Sequence, residues 1–459
     1  MFDKKLIEEV LGTAMSSGAD FAELFAERSR NNSIRFVDKK IDRINDNFLS
    51  GVGIRIFCGT RTIYASTTDI SREGLLGCAR SVADALGESK GLLSLCLTPK
   101  SVADIHTVRL DPANTETRVK TDILKEACFA AHEHDDAIVQ VQGNFMDTER
   151  EILVANSEGL LVTDKHTSTR IVVGATASDG NENQSGNCSP GRSMGLELFE
   201  LYDPKAVGIK AARQAMVNLR AGYCKAGQMT VAIENGFGGV IFHEACGHSL
   251  EATQVGVGTS EMCGKLGQKI ASDKITAIDD GTIPNAWGSV NIDDEGNPTQ
   301  KNVLIENGIL RSYMVDRLGS RRMGMAMTGN SRRQSYIYEP TSRMTNTSID
   351  NGPDKNEDII ASIEYGLYAK EMGGGSVNPL TGAFNFSVRE GYMVRNGKIC
   401  EAVRGASLIG TGSQILMDID MVGQNLDFGQ GVCGSSSGSV PTDVGQPLIR
   451  VKNITVGGR

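Results

Sequence analysis

The chain is short of several things, and each shortage excludes something. No stretch of 18 apolar residues occurs in its 459 residues, so no segment reads as a membrane-spanning helix. The opening, MFDKKLIEEVLGTAMSSGADF, lacks the apolar core of a secretion signal, and a cytoplasmic location is the expectation. There is no run of five basic residues, and 47 Lys and Arg stand against 56 Asp and Glu, a net charge of −9. That balance argues against nucleic acid or an anionic membrane surface as a partner. The ten cysteines are scattered without CxxC spacing, which argues against a disulfide framework; most are expected to be reduced core residues. Proline is scarce, with 11 residues, whereas the 53 glycines exceed the usual share of ~7% and predict many tight turns. Histidine is scarcer still, at six residues, so where histidines cluster is informative.

What is present reads as an α+β protein. The length predicts more than one unit. An apolar stripe of Leu6, Ile7, Val10, Leu11, Ala14 and Met15 predicts a first helix over about 1–16. From Ala19 to Ser66 the pattern changes to short β segments, with Gly51-Val52-Gly53 and Cys58-Gly59-Thr60 expected to mark hairpins. Helices follow at about Ser71–Leu86 and Glu116–His132. Strands are expected on either side of Asn156–Gly159, with IVVGATAS as a third. Residues 179–195 read as an exposed loop, and Asp203-Pro204 as the cap and first residue of a helix to Leu219. The domain boundary is expected in AGYCKAGQ. It separates a mixed α/β domain, 1–222, from a β-rich, largely antiparallel domain, 223–459, that carries the helix described next.

The sharpest signal is His243-Glu244-Ala245-Cys246-Gly247-His248, on a helix-compatible run after a strand. Neutral imidazoles suit Zn²⁺, and a carboxylate beside a ligating histidine can take a proton from metal-bound water. The familiar pattern places two histidines at i and i+4. Here the second is at i+5, which on a regular helix turns the rings roughly 140° apart. A one-residue π-bulge between them would restore a common face. Two histidines do not close a site, and Cys433, within Phe428-Gly429-Gln430-Gly431-Val432-Cys433-Gly434, is a possible third ligand. Taken alone, Cys433 is more ordinary as a reduced core thiol. Cys246 ranks below it.

Other groupings carry less. His132-Glu133-His134-Asp135-Asp136 fits a solvated helix end, while Asp279-Asp280-Gly281 and Asp293-Asp294-Glu295-Gly296 fit acidic turns without the spacing of a calcium loop. Gly373-Gly374-Gly375 is followed by Ser376 with no lysine, so it is no P-loop. In GNSRR, Arg332 or Arg333 could grip a carboxylate.

Taken together and in order, GVGIRIFCGTRTIYAS, FHEACGHSLEA, AIDDGTIPNAWGS, DDEGNPTQKNVLIENGIL, GNSRRQ, RMTNTSID, GGGSVNPLTGAFNFSVREGYMVRNGKI, FGQGVCG and VPTDVGQPLIRVKNITVGG resemble the TldD/PmbA family of metallopeptidases, also described as modulators of DNA gyrase. The intact HExxxH motif resembles the TldD-type, catalytic branch. The resemblance implies His243, His248 and Cys433 as zinc ligands and Glu244 as the acid/base. It implies a peptidase acting on unfolded or extended peptides, and a dimer, either with a TldE/PmbA-type subunit or of two identical chains. After Cys433-Gly434 this chain departs from the family pattern with Ser435-Ser436-Ser437-Gly438-Ser439, which bears on the rim of the site. The alternative is a non-catalytic regulator of a topoisomerase or a toxin–antitoxin pair with a structural metal site. Glu244 speaks against it, because a structural zinc has four protein ligands and no use for an adjacent base. Hydrolysis of some other amide is a third option. Tyr336, Tyr338 and Arg343 are the available guesses for stabilising an oxyanion.

Overall fold

The computed structural model describes residues 2–87, 94–378 and 382–459. Met1 of the expected first helix and 379–381 of the GGGSVNPLTGAFNFSV segment lie outside the described residues. The fold is α+β with mostly antiparallel sheets. The first sheet runs Arg61–Thr67, Lys40–Cys58, Phe21–Val37, Ile138–Asn156, Leu160–Ser178, Thr98–Lys100, with Asn183–Cys188 and Gly191–Arg192 also paired to Leu160–Ser178. Its two faces follow from the period-two alternation of strands. On Phe21–Val37, Ala22, Leu24, Ala26, Ile34 and Phe36 face four helices. Helix Lys4–Ala14 packs through Ile7, Val10, Leu11 and Ala14 beside Arg72–Leu86, which opens where the Ser71 hydroxyl accepts the Gly74 N–H at 3.1 Å. Thr117–His132 and Pro204–Arg220 cover the other end, the latter capped by Asp203 accepting from the Ala206 N–H.

The opposite face of the same strand presents Glu23, Phe25 and Glu27 to the second half of the chain. There Phe25, Ile152, Val154 and Val162 pack on Ile292 and Tyr336. Arg55 joins Glu23 (3.1 Å) to Glu295, and Arg333 also bonds Glu23 (2.8 Å); all four side chains are buried.

Several expectations are corrected here. The β segments of 19–66 are two long strands and a shorter one. Gly51 and Gly53 lie inside Lys40–Cys58 rather than at turns: a Cβ on Gly51 would collide with Tyr336 and one on Gly53 with Tyr64, so these glycines admit a side chain from the second half of the chain and one from the next strand. Gly59, at φ 62°, does make the turn. IVVGATAS continues Leu160–Ser178. Residues 179–195 are no exposed loop: Asn183–Cys188 is a strand, Gly186 abuts helix Pro204–Arg220, and Ser193 is buried. Asp293, Asp294 and Glu295 form a turn, with the Asp293 carboxylate accepting the Glu295 and Asn297 N–H groups, but it is fully enclosed. Asp279 belongs to strand Ala277–Asp280 and is buried, accepting from Asn330 and Thr345. All ten cysteines are unpaired; Cys58, Cys96 and Cys400 are exposed and so are not core residues.

The second half holds two larger sheets. In one, Tyr365–Val377, Gly227–Ile233, Ile449–Gly457, Ser407–Thr411 and Ala383–Arg395 follow one another, and the last pairs back onto the first, closing a ring. The other runs Ile309–Leu310, Lys301–Glu306, Ala277–Asp280, Asn346–Ile349, Gly438–Gln446, Asp427–Ser435. The chain leaves the ring at Ile233 and enters the His243 motif, whose helix packs between the ring and strands Asn346–Ile349 and Gly438–Gln446 of this second sheet.

Candidate metal centre

The HEACGH run is not one helix. A helix spans Val240–Ala245, Cys246 leaves helical geometry at φ −132°, ψ −42°, and Gly247–Leu250 resumes as a 3-10 turn. No π-bulge forms; the break at Cys246 does the work expected of one. It brings the rings of His243 and His248 together edge to face, 5.1 Å between centroids, despite their i+5 spacing. Glycine is required at 247 because a Cβ there would strike the Met344 sulfur.

Cys433 comes from the edge strand Asp427–Ser435, 185 residues further along the chain than His248. Its Sγ lies 3.3 Å from His243 Nε2 and 3.2 Å from His248 Nε2. The three donor atoms sit within 4.8 Å of one another. Zinc–nitrogen bonds of roughly 2.0 Å and a zinc–sulfur bond of roughly 2.3 Å place tetrahedral donors about 3.5 Å apart, so two imidazoles and a thiol at these separations fit one ion. Glu244 lies in the same group, its Oε2 3.8 Å from His248 Nε2, and it lines a cavity of about 240 Å³ with His248, Ser249, Glu251, Gly434 and Ser435. Cys246 points elsewhere, into the apolar core.

The outer partners of these groups were not legible in the sequence. His248 Nδ1 faces Glu251 Oε2 at 3.2 Å, and His243 Nδ1 faces Thr347 Oγ1 at 3.4 Å. Glu251, an acid three residues beyond a histidine, is the one a spacing argument could have found; nothing local pointed to Thr347. Arg343 is committed behind the site, donating to the Cys433 carbonyl (2.6 Å), the Ser437 hydroxyl (3.0 Å) and the Gly438 carbonyl (2.9 Å). It therefore fixes the Cys433 hairpin, and an oxyanion role is not its evident one. Tyr336 packs on Gly51, and Tyr338 lines a different cavity. The atypical serine stretch closes the hairpin, with Ser437 buried as an acceptor for Arg343.

The electrostatics separate the two histidines. Burial, helped by the charges of His248 and Arg343, drives the pKa of His243 well below its ordinary value. Burial also opposes a charge on His248, yet Glu251 and Cys433 outweigh it and move its pKa well above the ordinary value. Burial raises the Glu244 carboxyl. Of the remaining sequence candidates, His134 is exposed at a helix end, and Arg333 is taken up by Glu23, whereas Arg332 makes no ion pair among the described residues.

A broken helix bearing a His-Glu pair, with a thiol brought alongside, could hold a metal ion, and sequence comparison gives the class of the chain. Residues 22–86, 110–219 and 226–458 match domain 1, the central domain and the C-terminal domain of the PmbA/TldA metallopeptidases; the chain belongs to the PmbA/TldD family and is a metallopeptidase. It is 36% identical to the metalloprotease TldD homolog of Haemophilus influenzae over 96% of this chain and 93% of that one. A metalloprotease of Methanothermobacter thermautotrophicus is 32% identical over 96% of each. Among solved structures, TldE from Thermococcus kodakarensis superposes with a TM-score of 0.79 at 20% identity, covering 99% of this chain and 100% of that one. A Thermotoga maritima protein described as a candidate modulator of a DNA gyrase superposes at 0.80 and 22% identity, covering 99% of this chain and 100% of that one.

Proposed function

We propose that the chain is a zinc-dependent peptidase that hydrolyses peptide bonds in unfolded or extended peptides. His243, His248 and Cys433 would hold the metal, and Glu244 would act as general base and acid. The observation that carries this reading is the meeting of three donor atoms from two distant segments beside a carboxylate in one cavity. When bound, zinc supplies Lewis-acid polarisation of the scissile carbonyl and an acidified water. The rest falls to the chain's own groups. Glu244 accepts a proton during attack and returns it to the leaving amine, a role that its burial-raised carboxyl suits. Glu251 and Thr347 orient the two imidazoles through their Nδ1 atoms. Arg343 holds the Cys433 backbone in place. The donor set of two imidazoles and one thiolate favours zinc over magnesium or calcium, which prefer oxygen.

The reading includes two domains, 1–222 and 223–459, a cytoplasmic location, and a dimer with a TldE/PmbA-type subunit or with a second identical chain. No helix among the described residues is long and apolar enough to cross a membrane. The gyrase-modulator description belongs to a protein that shares the fold at 22% identity, while relatives at 35–36% are named metalloproteases.

The test is metal content together with hydrolysis of an unstructured peptide, with and without an added TldE-type subunit. The native chain should carry zinc and cut the peptide. Glu244→Ala should keep zinc and lose cleavage, and Cys433→Ala should lose both. Cleavage by Glu244→Ala, or undiminished zinc in Cys433→Ala, would overturn the assignment.

A further inference from the structure

Behind the Cys433 hairpin, on the side away from the donor cluster, a second cavity of about 510 Å³ lies between the first sheet and the second half of the chain. Val432 lines it while Cys433 turns to the other face, as strand alternation requires. Much of its wall is apolar: Ile152 from the first sheet, Ile292, and Val432 with its cross-strand partner Pro441 from the hairpin. Ile337 and Val432 are exposed.

Not every charge around this space is paired. Arg150 is matched by Glu27 (2.9 Å) and Asp294 (3.2 Å), and Arg333 by Glu23. Arg332 is not matched. It is 6% exposed, has no carboxylate within 4.0 Å among the described residues, and makes one hydrogen bond, from Nη1 to the Met344 carbonyl at 2.8 Å. A guanidinium has five N–H donors, and a buried one with no carboxylate in direct contact is costly; Asp294 and Asp279 act on it only from beyond 4.0 Å. Burial lowers its pKa to about 10, which leaves it charged at neutral pH. Arg170 lines the same space, stacked 5.2 Å from the Trp287 ring centre, with its Nε buried and unpartnered; the Nδ1 of His166 is likewise buried without a partner. The two acids facing the cavity away from Arg150 are already engaged. Asp293 accepts backbone N–H groups of Glu295, Asn297 and Ser331, and Asp164 accepts from Asn291.

We propose that this cavity binds a carboxylate carried on an apolar body, the charge received by Arg332 and the hydrocarbon part by Val432, Pro441 and Ile292. Two sources share that chemistry: the C-terminal residue of a peptide, and a free acylated amino acid. The inference stands apart from the donor cluster, because none of the residues it uses belongs to that cluster.

The protein carries its own reporter, since Trp287 is the only tryptophan in the chain and lines the cavity. The full-length chain would be titrated with N-acetyl-leucine, with the peptide Ala-Ala-Ala-Ala-Leu, and with the same peptide amidated at its C-terminus. Trp287 emission and calorimetric heat would be read together. At least one free acid should bind saturably, and which one does identifies the source; the amide should bind at least ten-fold more weakly. Arg332→Gln should weaken binding at least ten-fold. Should that variant fail to fold, Ile337→Asp, at an exposed position on the lining, should do the same by setting a negative charge at the cavity. His243→Ala should bind as the native chain does, which separates this cavity from the donor cluster. Equal binding of acid and amide would overturn the proposal. So would undiminished binding by folded Arg332→Gln or by Ile337→Asp, loss of binding in His243→Ala, or no saturable binding of either acid.

Discussion

Glu251 gives the sharpest test of how the metal centre is held. It is 4% exposed, its Oε2 is 3.2 Å from His248 Nδ1, and its Oε1 makes no hydrogen bond but lies 4.0 Å from Arg343 Nε. Arg343 in turn grips the Cys433 carbonyl at 2.6 Å. One carboxylate thus orients one proposed ligand directly and steadies a second through a guanidinium. Outer partners of this kind typically change metal affinity 10–100-fold, about 1.4–2.7 kcal/mol. Glu251→Ala removes both arms and should fall in that range. Glu251→Gln keeps an acceptor for the Nδ1–H and loses only the charge, so a few-fold loss is expected. The assay is competition for zinc against a chromophoric chelator, repeated with cobalt, whose visible bands report the thiolate and the coordination number. Unfolding must be excluded by circular dichroism. A folded Glu251→Ala that binds zinc as tightly as the native chain, with an unaltered cobalt spectrum, would refute the reasoning.

Three further outcomes follow from the packing. Arg55→Met leaves the buried Glu23 with Arg333 alone and the buried Glu295 with only the Arg317 N–H, and should cost about 3–5 kcal/mol in urea unfolding; a loss under about 1 kcal/mol would show that the network contributes little. Gly53→Ala drives a methyl into the Tyr64 hydroxyl, which donates to the Tyr336 carbonyl, and should destabilise by roughly 1–3 kcal/mol, read as a lowered Tm. Burial depresses His106 to about 4, while burial and the neighbouring charges of His106, Arg150 and Arg332 depress His166 to about 3. Below the unfolded value near 6.5 the unfolded chain binds more protons, so stability is present above that pH and falls as pH drops towards 4, by up to about 1.4 kcal/mol per unit per histidine. Replacing both with glutamine should flatten the urea midpoint between pH 6.5 and 4, and an unchanged slope would contradict the assignment.

The helices were legible because their signals are local. Ser71 and Asp203-Pro204 announce caps, and the apolar spacing of Ile7, Val10, Leu11 and Ala14 fixes a buried face. What the sequence hid depends on distant partners. Gly51 and Gly53 look like turn residues because glycine is usually read through its own backbone freedom. Here they are small so that Tyr336 and Tyr64 can approach. Likewise DGNENQSGNC is polar enough to read as a loop, but Leu160–Ser178 offers it an edge to pair with, and helix Pro204–Arg220 covers it. An acidic triplet such as Asp293–Glu295 reads as an ordinary acidic turn until Arg55 and Arg150 are known to meet it from the other half of the chain.

The metal centre repeats this division at smaller scale. The residue types in HEACGH were visible, and so was the problem that i+5 histidines diverge on a regular helix. The solution was invisible because it is tertiary. Cys246 is drawn into the apolar core of the second half, its backbone leaves the helical region, and the turn resumes at Gly247, whose missing Cβ admits Met344. Met344 follows Arg343, the residue that fixes the Cys433 hairpin, and its carbonyl is the sole acceptor for the Arg332 side chain among the described residues. One short stretch, Arg343-Met344, thus touches the break that aligns the histidines, the hairpin that delivers the thiol, and the unmatched guanidinium behind it. Substitution at Met344 should therefore disturb metal binding and the second cavity together, although its own side chain belongs to neither.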